Sequence, residues 1–440
     1  MPRAGMPRAT STPCIEIPPA ISSPLIRLIV ECSRMPETRP GNSTRKERAL
    51  LWPALASMTA VQAVIAAGIF GLGIAAPLIG LPVTQLGWLN VLIFGLGACG
   101  ASQAGRLCQR WGGVQVTIVC VGCVLLASLL LSLPLSITVW PAAILLGLAF
   151  GPETAASSAS LVRVTTPAQR NGVIALRQTG NQWGAIAASL CLPMLMEYNR
   201  AAAFGLLALL CLVLMAALIS QLKIDQIPLS DANSAGNFSH ALLPTLAAQC
   251  RSPGMPALLA LSASYAAIQI AINGFAFSYL VRVLELTPAI AGTLLATAQG
   301  AGLLARILLG TWARRATSTA RALGWIGPGI ALSVITLALM PAGQASALLY
   351  LLMFVVGFLA SGWNGLLLAE LSRRAGPSRT AAWTGATMTV SYAGLVTAPL
   401  LFTLGSIGMR STYLALAVAC GLSGLAVLLG RPAQSGAKTP

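Results

Sequence analysis

Gly100-Ala-Ser-Gln-Ala-Gly105-Arg-Leu-Cys-Gln-Arg110 and Ala305-Arg-Ile-Leu-Leu-Gly310-Thr-Trp-Ala-Arg-Arg315 are two copies of one short pattern, 205 positions apart. In a single register Gly105 falls on Gly310 and Arg110 on Arg315. Each copy lies between two long apolar runs. A basic loop after the second apolar run of each of two similar halves marks a duplicated membrane protein. Such halves move against each other, which is the architecture of a transporter and not of an enzyme.

The repeat continues beyond the loops. Thr179-Gly180 matches Thr384-Gly385, again 205 apart, and Arg163 with Pro167 matches Arg373 with Pro377, 210 apart. Composition agrees with a lipid surround. Of 440 residues 56% are hydrophobic and 8% charged, with mean hydropathy +0.80. A soluble protein carries about 25% charged residues, so the outer surface must mostly face lipid.

The formal net charge of +17 would point to nucleic acid in a soluble protein. Here eight of the 27 basic residues lie in the first 48, and most others fall in short loops between apolar runs. No basic stretch is interleaved with aromatics for base stacking, so no nucleic-acid partner is expected. The ten cysteines show neither a disulfide framework nor zinc spacing. Cys120-Val-Gly-Cys123 has redox spacing but sits in an apolar run, where small apolar side chains are the better reading. The single histidine, His240, is in a polar loop, which excludes a histidine metal site. Gly95-Leu-Gly97-Ala-Cys-Gly100 spells a dinucleotide fingerprint inside a spanning segment without a preceding strand, so its context fails. No Walker motif is present, and no cofactor is expected.

Residues 1–48, rich in Pro, Ser and Arg, read as a disordered cytoplasmic tail. The apolar patch Ile21 to Val30 is too short to cross a bilayer, which takes about 20 apolar residues, and it does not resemble a signal peptide. Twelve spanning segments follow, at 51–79, 84–106, 113–134, 138–163, 171–195, 201–221, 256–282, 287–311, 319–341, 345–371, 380–404 and 411–430. The domain plan is therefore a six-helix bundle at 49–221, a central cytoplasmic loop at 222–255, a second six-helix bundle at 256–430 and a tail at 431–440. Basic residues gather in alternate loops, at Arg106, Arg110, Arg163, Arg170, Lys223, Arg251, Arg306, Arg314, Arg315, Arg321, Arg373, Arg374 and Arg379. The other loops hold only Arg200, Arg282 and Arg410. This asymmetry places both termini in the cytoplasm.

The stretch Gly105-Arg-Leu-Cys-Gln109-Arg110-Trp-Gly112-Gly113 resembles the loop motif of the major facilitator superfamily, roughly Gly-x-x-x-Asp-Arg-x-Gly-x-Arg/Lys. Gly105, Arg110 and Gly112 match; Gln109 stands in place of the Asp. A closer similarity is to bacterial members of that superfamily assigned only as transporters. Arg163-Val-Thr-Thr-Pro-Ala-Gln-Arg-Asn-Gly-Val-Ile-Ala-Leu-Arg177-Gln-Thr-Gly180 and Gly362-Trp-Asn-Gly-Leu-Leu-Leu-Ala-Glu370-Leu carry it. The resemblance covers residues 50–430. It implies an all-α membrane protein of two pseudo-symmetric six-helix bundles, acting as a monomer. The antiporter signature of the family, on the fifth helix, ends in a Gly-Pro pair, whereas here the region reads Gly180-Asn-Gln-Trp-Gly184-Ala without that Pro.

Ionisable groups inside a membrane are costly and usually functional. Glu153 follows Gly151-Pro152 near the middle of the fourth span, and Arg177 sits about two turns into the fifth. Two roles are open. Arg177 holds an anionic substrate with its planar fork while Glu153 carries the coupling proton, or the two form a permanent ion pair. Glu370 ends the tenth span, with Arg306 or Arg315 as expected partners. The resemblance implies that such charged helix ends latch the inner gate, together with Gly105, Arg110 and Gly310.

Amides facing lipid are costly, so polar residues inside spans face the bundle interior. These are Gln62, Asn90, Gln178, Asn181 and Gln182 in the first half. In the second they are Tyr265, Gln269, Asn273, Gln299, Trp363, Asn364 and Tyr392. Gln178 and Gln182 share one helix face. Trp363-Asn364, flanked by Gly362 and Gly365, is the favoured second-half site, with the indole as a flat wall.

The sequence thus predicts a secondary transporter of the bacterial inner membrane, working by alternating access on a small organic anion with proton coupling. The alternatives are a drug or metabolite exporter on the same fold and an uncoupled facilitator.

Overall fold

Apolar sequence becomes helix in nearly every predicted segment, because a backbone in lipid must satisfy its hydrogen bonds internally. The computed structural model describes residues 42–226, 242–313, 315–316, 318–343, 346–376, 379–404 and 408–430. Most of the terminal tails, together with His240, Arg314 and Pro377, lie outside them. The helices of the first half are α1 (Asn42–Leu78), α2 (Val83–Trp111), α3 (Gly113–Ser132), α4 (Val139–Arg163), α5 (Pro167–Arg177), α6 (Gly180–Tyr198) and α7 (Arg200–Ile219). A short α8 (Leu242–Arg251) lies in the central loop. The second half holds α9 (Met255–Arg282), α10 (Pro288–Ala313), α11 (Ala320–Ala338), α12 (Ala347–Ala375), α13 (Thr380–Thr403) and α14 (Gly408–Leu429). Among the described residues no strand forms.

Two expectations shift. Helix α1 begins at Asn42, inside the stretch read as tail, because Arg45, Lys46, Glu47 and Arg48 are good helix formers that extend an apolar helix. Among the described residues eleven helices are long and apolar enough to cross a membrane. The fifth span is the exception. It is broken at Gln178-Thr179 into α5 and α6, and Asn181 and Gln182 dilute the start of α6.

The duplication is visible in the packing. Gly184 on α6 lies against the carbonyl of Ala63 on α1, and Gly394 on α13 lies against the carbonyl of Ala263 on α9. Backbone approach of this kind needs residues without side chains. These glycines are 210 positions apart. The structural register of these spans is therefore that of Arg163 and Arg373, not that of Thr179-Gly180 and Thr384-Gly385.

Among the described residues three helix pairs carry most of the contact between the halves: α1 with α9, α2 with α13, and α6 with α10. Their close approaches fall at the end opposite the basic loops. A methyl at Gly73 would sit 2.5 Å from the carbonyl oxygen of Gly274. Gly292 lies against the Ser189 carbonyl, and Arg282 donates to the Leu81 carbonyl at 2.6 Å. These contacts seal the bundle on that face. Outward, α7 presents Leu209, Leu212 and Val213 as exposed apolar side chains, a surface made for lipid.

Candidate functional site

Behind that seal the halves enclose a cavity of about 230 Å³. Its apolar wall includes Ile65, Phe70, Phe94 and Phe150, with Phe94 and Phe150 edge to face at 5.4 Å. Its polar lining combines Gln62, Glu153, Thr154, Arg177, Gln178 and Asn181 from the first half with Gln269, Asn273 and Arg306 from the second.

The break between α5 and α6 puts the polar groups there. Arg177 ends α5, and Gln178 and Asn181 flank the interruption, so three polar residues line the cavity within one turn. Arg177 Nη1 lies 2.8 Å from Glu153 Oε1, with both side chains almost fully buried. Ser157, one turn below Glu153 on α4, donates to the same oxygen at 2.9 Å and accepts from Arg177 Nη1. Thr154 donates to Glu153 Oε2 at 3.1 Å. The carboxylate is therefore well satisfied. The guanidinium is not, because its Nε and Nη2 are buried without a hydrogen-bond partner. Gln62 Oε1 and Arg306 Nε share that condition.

A chain of four amides crosses between the halves. Asn181 Nδ2 donates to Gln182 Oε1 at 2.9 Å, Gln182 Nε2 to Gln299 Oε1 at 3.3 Å, and Gln299 Nε2 to Asn273 Oδ1 at 2.8 Å. Its two ends line the cavity. Gly302 on α10 leaves the room, since a methyl there would sit 2.6 Å from Gln182 Nε2.

Other expected residues lie elsewhere. Trp363 is not a wall of the cavity. Its indole is buried within the second half, edge-on to Tyr265 at 6.0 Å and donating to the Ala360 carbonyl of its own helix. Gly362 packs α12 on Ala305 and Leu309 of α10. Asn364 reaches only the lining residue Gln269, at 3.5 Å. Asn90 donates to the Leu86 carbonyl of its own helix. Tyr392 faces Phe150.

The expected pairing of Glu370 with Arg306 or Arg315 is not formed. Glu370 pairs with Arg373 and, at 2.7 Å, Arg374 on its own helix, and accepts from the Thr319 backbone N–H at 3.1 Å. It anchors the start of α11, where Thr319 is the N-cap residue. Arg306 is two turns inside α10 and enters the cavity instead, while Arg315, beyond the helix end, is exposed. Gly105 and Arg110 are also exposed.

Sequence reading missed Asp225, which it placed in the loop. Its carboxylate accepts from the backbone N–H groups of Val114 and Gln115 at 3.0 and 3.2 Å, and Arg163 donates to its carbonyl at 3.1 Å. An acidic side chain on the first N–H groups of a helix caps it and complements its dipole. Asp225 and Glu370 thus hold the starts of α3 and α11, corresponding helices of the two halves.

The family model of the Major Facilitator Superfamily matches residues 54–399. No curated protein matches the chain significantly. Among solved structures, the chain is similar to a mutant of the nucleoside transporter NupG, with TM-score 0.70, 12% identity and coverage of 85% of this chain and 98% of the other. It is similar to the peptide transporter POT in complex with sulfate, with TM-score 0.63, 15% identity and coverage of 85% and 93%. A POT family transporter in complex with 5-aminolevulinic acid gives TM-score 0.65 and 12% identity, covering 85% and 95%.

Proposed function

The chain belongs to the Major Facilitator Superfamily, and from that premise we propose that this multi-pass secondary transporter carries a small organic anion by proton symport. It would act as a monomer in the bacterial inner membrane. The observation that carries the reading is Arg177, a fully buried guanidinium lining the cavity with two of its nitrogens, Nε and Nη2, unpartnered. A planar fork with free donors suits a carboxylate. The cavity, at about 230 Å³, is smaller than the roughly 300–1,000 Å³ of drug-sized pockets, which supports a small solute over the drug-exporter alternative.

In the cycle, a proton on Glu153 neutralises the partner of Arg177 and frees Nη1 for the incoming anion. Loss of the proton restores the ion pair and releases the anion. The halves, residues 49–221 and 256–430, rock about the cavity as alternating access requires. Gln178, Asn181 and Gln269 orient the solute from both sides. With both termini cytoplasmic, as the basic loops favour, the sealed face is the outer one and this is the inward-facing state. Gly105, Arg110, Gly310 and Arg315 then border the inner gate, with Glu370 holding its scaffold.

The test is a thermal-shift screen of the purified protein against small carboxylates, sugars, amino acids and cationic drugs, with Arg177→Ala alongside. A solute that binds only the folded state raises Tm by mass action. Stabilisation by carboxylates that disappears in the variant supports the reading. Stabilisation by cations or neutral lipophiles that survives in the variant overturns it.

A further inference from the structure

Arg306 brings a second guanidinium into the cavity, from the half opposite Arg177. Among the described residues the ion pairs are Arg177 with Glu153, and Arg373 and Arg374 with Glu370. Among those residues no carboxylate pairs with Arg306, and its Nε is buried without a hydrogen-bond partner. Arg306 is only partly buried, so the rest of its guanidinium is open to whatever enters the cavity. Nothing in the packing of α10 requires it, since Ala305 and Leu309 make the contact with α12. An anionic solute in the cavity is therefore placed to complete Arg306.

Resting on the anion reading above, we infer that the substrate is a short dicarboxylate, with one carboxylate held by Arg177 and the other by Arg306. The formal charges agree. Among the described residues Glu153 is the only carboxylate lining the cavity, against two guanidinium groups. When Glu153 is protonated, a dianion leaves the loaded cavity neutral, whereas a monoanion leaves one cation over. A solute held by one arginine from each half also binds best when the halves are close, which gives it the differential affinity that a conformational change needs. The same lining carries the neutral amides Gln62, Gln269 and Asn273.

The test compares binding of succinate and glutarate with butyrate and valerate, using full-length purified protein as wild type, Arg306→Gln and Arg306→Lys. Wild type is expected to bind each dicarboxylate at least about tenfold more tightly than the monocarboxylate of equal length, the scale of one charge-assisted hydrogen-bonded contact. Arg306→Gln weakens dicarboxylates at least about fivefold more than monocarboxylates and so removes that preference, while an unchanged melting curve reports that the variant is folded. Arg306→Lys keeps part of the preference. Equal affinity for the two classes in wild type overturns the inference and leaves the anion reading standing. Equal weakening of both classes in Arg306→Gln overturns it too. Failure of every carboxylate to bind wild type overturns the anion reading itself.

Discussion

Arg177 on α5 and Glu153 on α4 meet at 2.8 Å, and the arginine has donors to spare where the glutamate does not. Ser157 and Thr154 complete the carboxylate, so the pair is asymmetric: the unsatisfied member is the cation. Removing the carboxylate's charge should therefore affect coupling more than binding. Glu153→Gln is expected to keep solute exchange between equal concentrations while losing accumulation driven by a pH gradient. Counterflow and gradient-driven uptake in proteoliposomes check this. Unchanged accumulation in the variant would take Glu153 out of the proton path, and no gradient-driven accumulation in wild type would make the protein an uncoupled facilitator.

Glu153→Leu differs from Glu153→Gln because it strands Arg177. Breaking a buried ion pair by removing one partner costs about 3–5 kcal/mol. Glu153→Leu should lower Tm clearly, and the double substitution Glu153→Leu with Arg177→Met should recover much of the loss. Melting curves of the four proteins give the coupling.

The amide chain ties the halves through Gln182 and Gln299, and that tie breaks whenever the halves separate there. Gly302→Ala places a methyl 2.6 Å from Gln182 Nε2. Gly73→Ala places one 2.5 Å from the Gly274 carbonyl oxygen, at the seal. Both should shift the population away from the conformation described here. Accessibility of a cysteine placed at Thr403, beside the seal, to a membrane-impermeant maleimide is expected to rise in each.

Asp225 caps α3 through Val114 and Gln115. Asp225→Ala should cost about 1 kcal/mol, the usual value of an N-cap, seen as a lower Tm. The relative affinities for different solutes should stay unchanged, because Asp225 does not line the cavity.

Much of this was legible in the sequence because lipid punishes misplaced polarity. The spans, the break between halves and the Glu153–Arg177 pair all follow from where charge is absent or anomalous. Three things were hidden. Arg306 stands only four residues before Gly310, so it reads as part of the loop pattern, while the helix continues to Ala313 and draws it inside. Trp363 and Asn364 are adjacent in sequence but about 100° apart around a helix, and only packing shows that neither lines the cavity. The amide chain joins residues 117 positions apart at Gln182 and Gln299, which no local pattern encodes.

The most direct test of the central claim is uptake of a labelled small carboxylate into proteoliposomes under an imposed inward proton gradient, by wild type and by Arg177→Gln. The account predicts accumulation in wild type that collapses with the gradient, and a loss of at least about tenfold in the variant, as expected when one partner of a buried charged contact is removed. Equal accumulation by Arg177→Gln would contradict it.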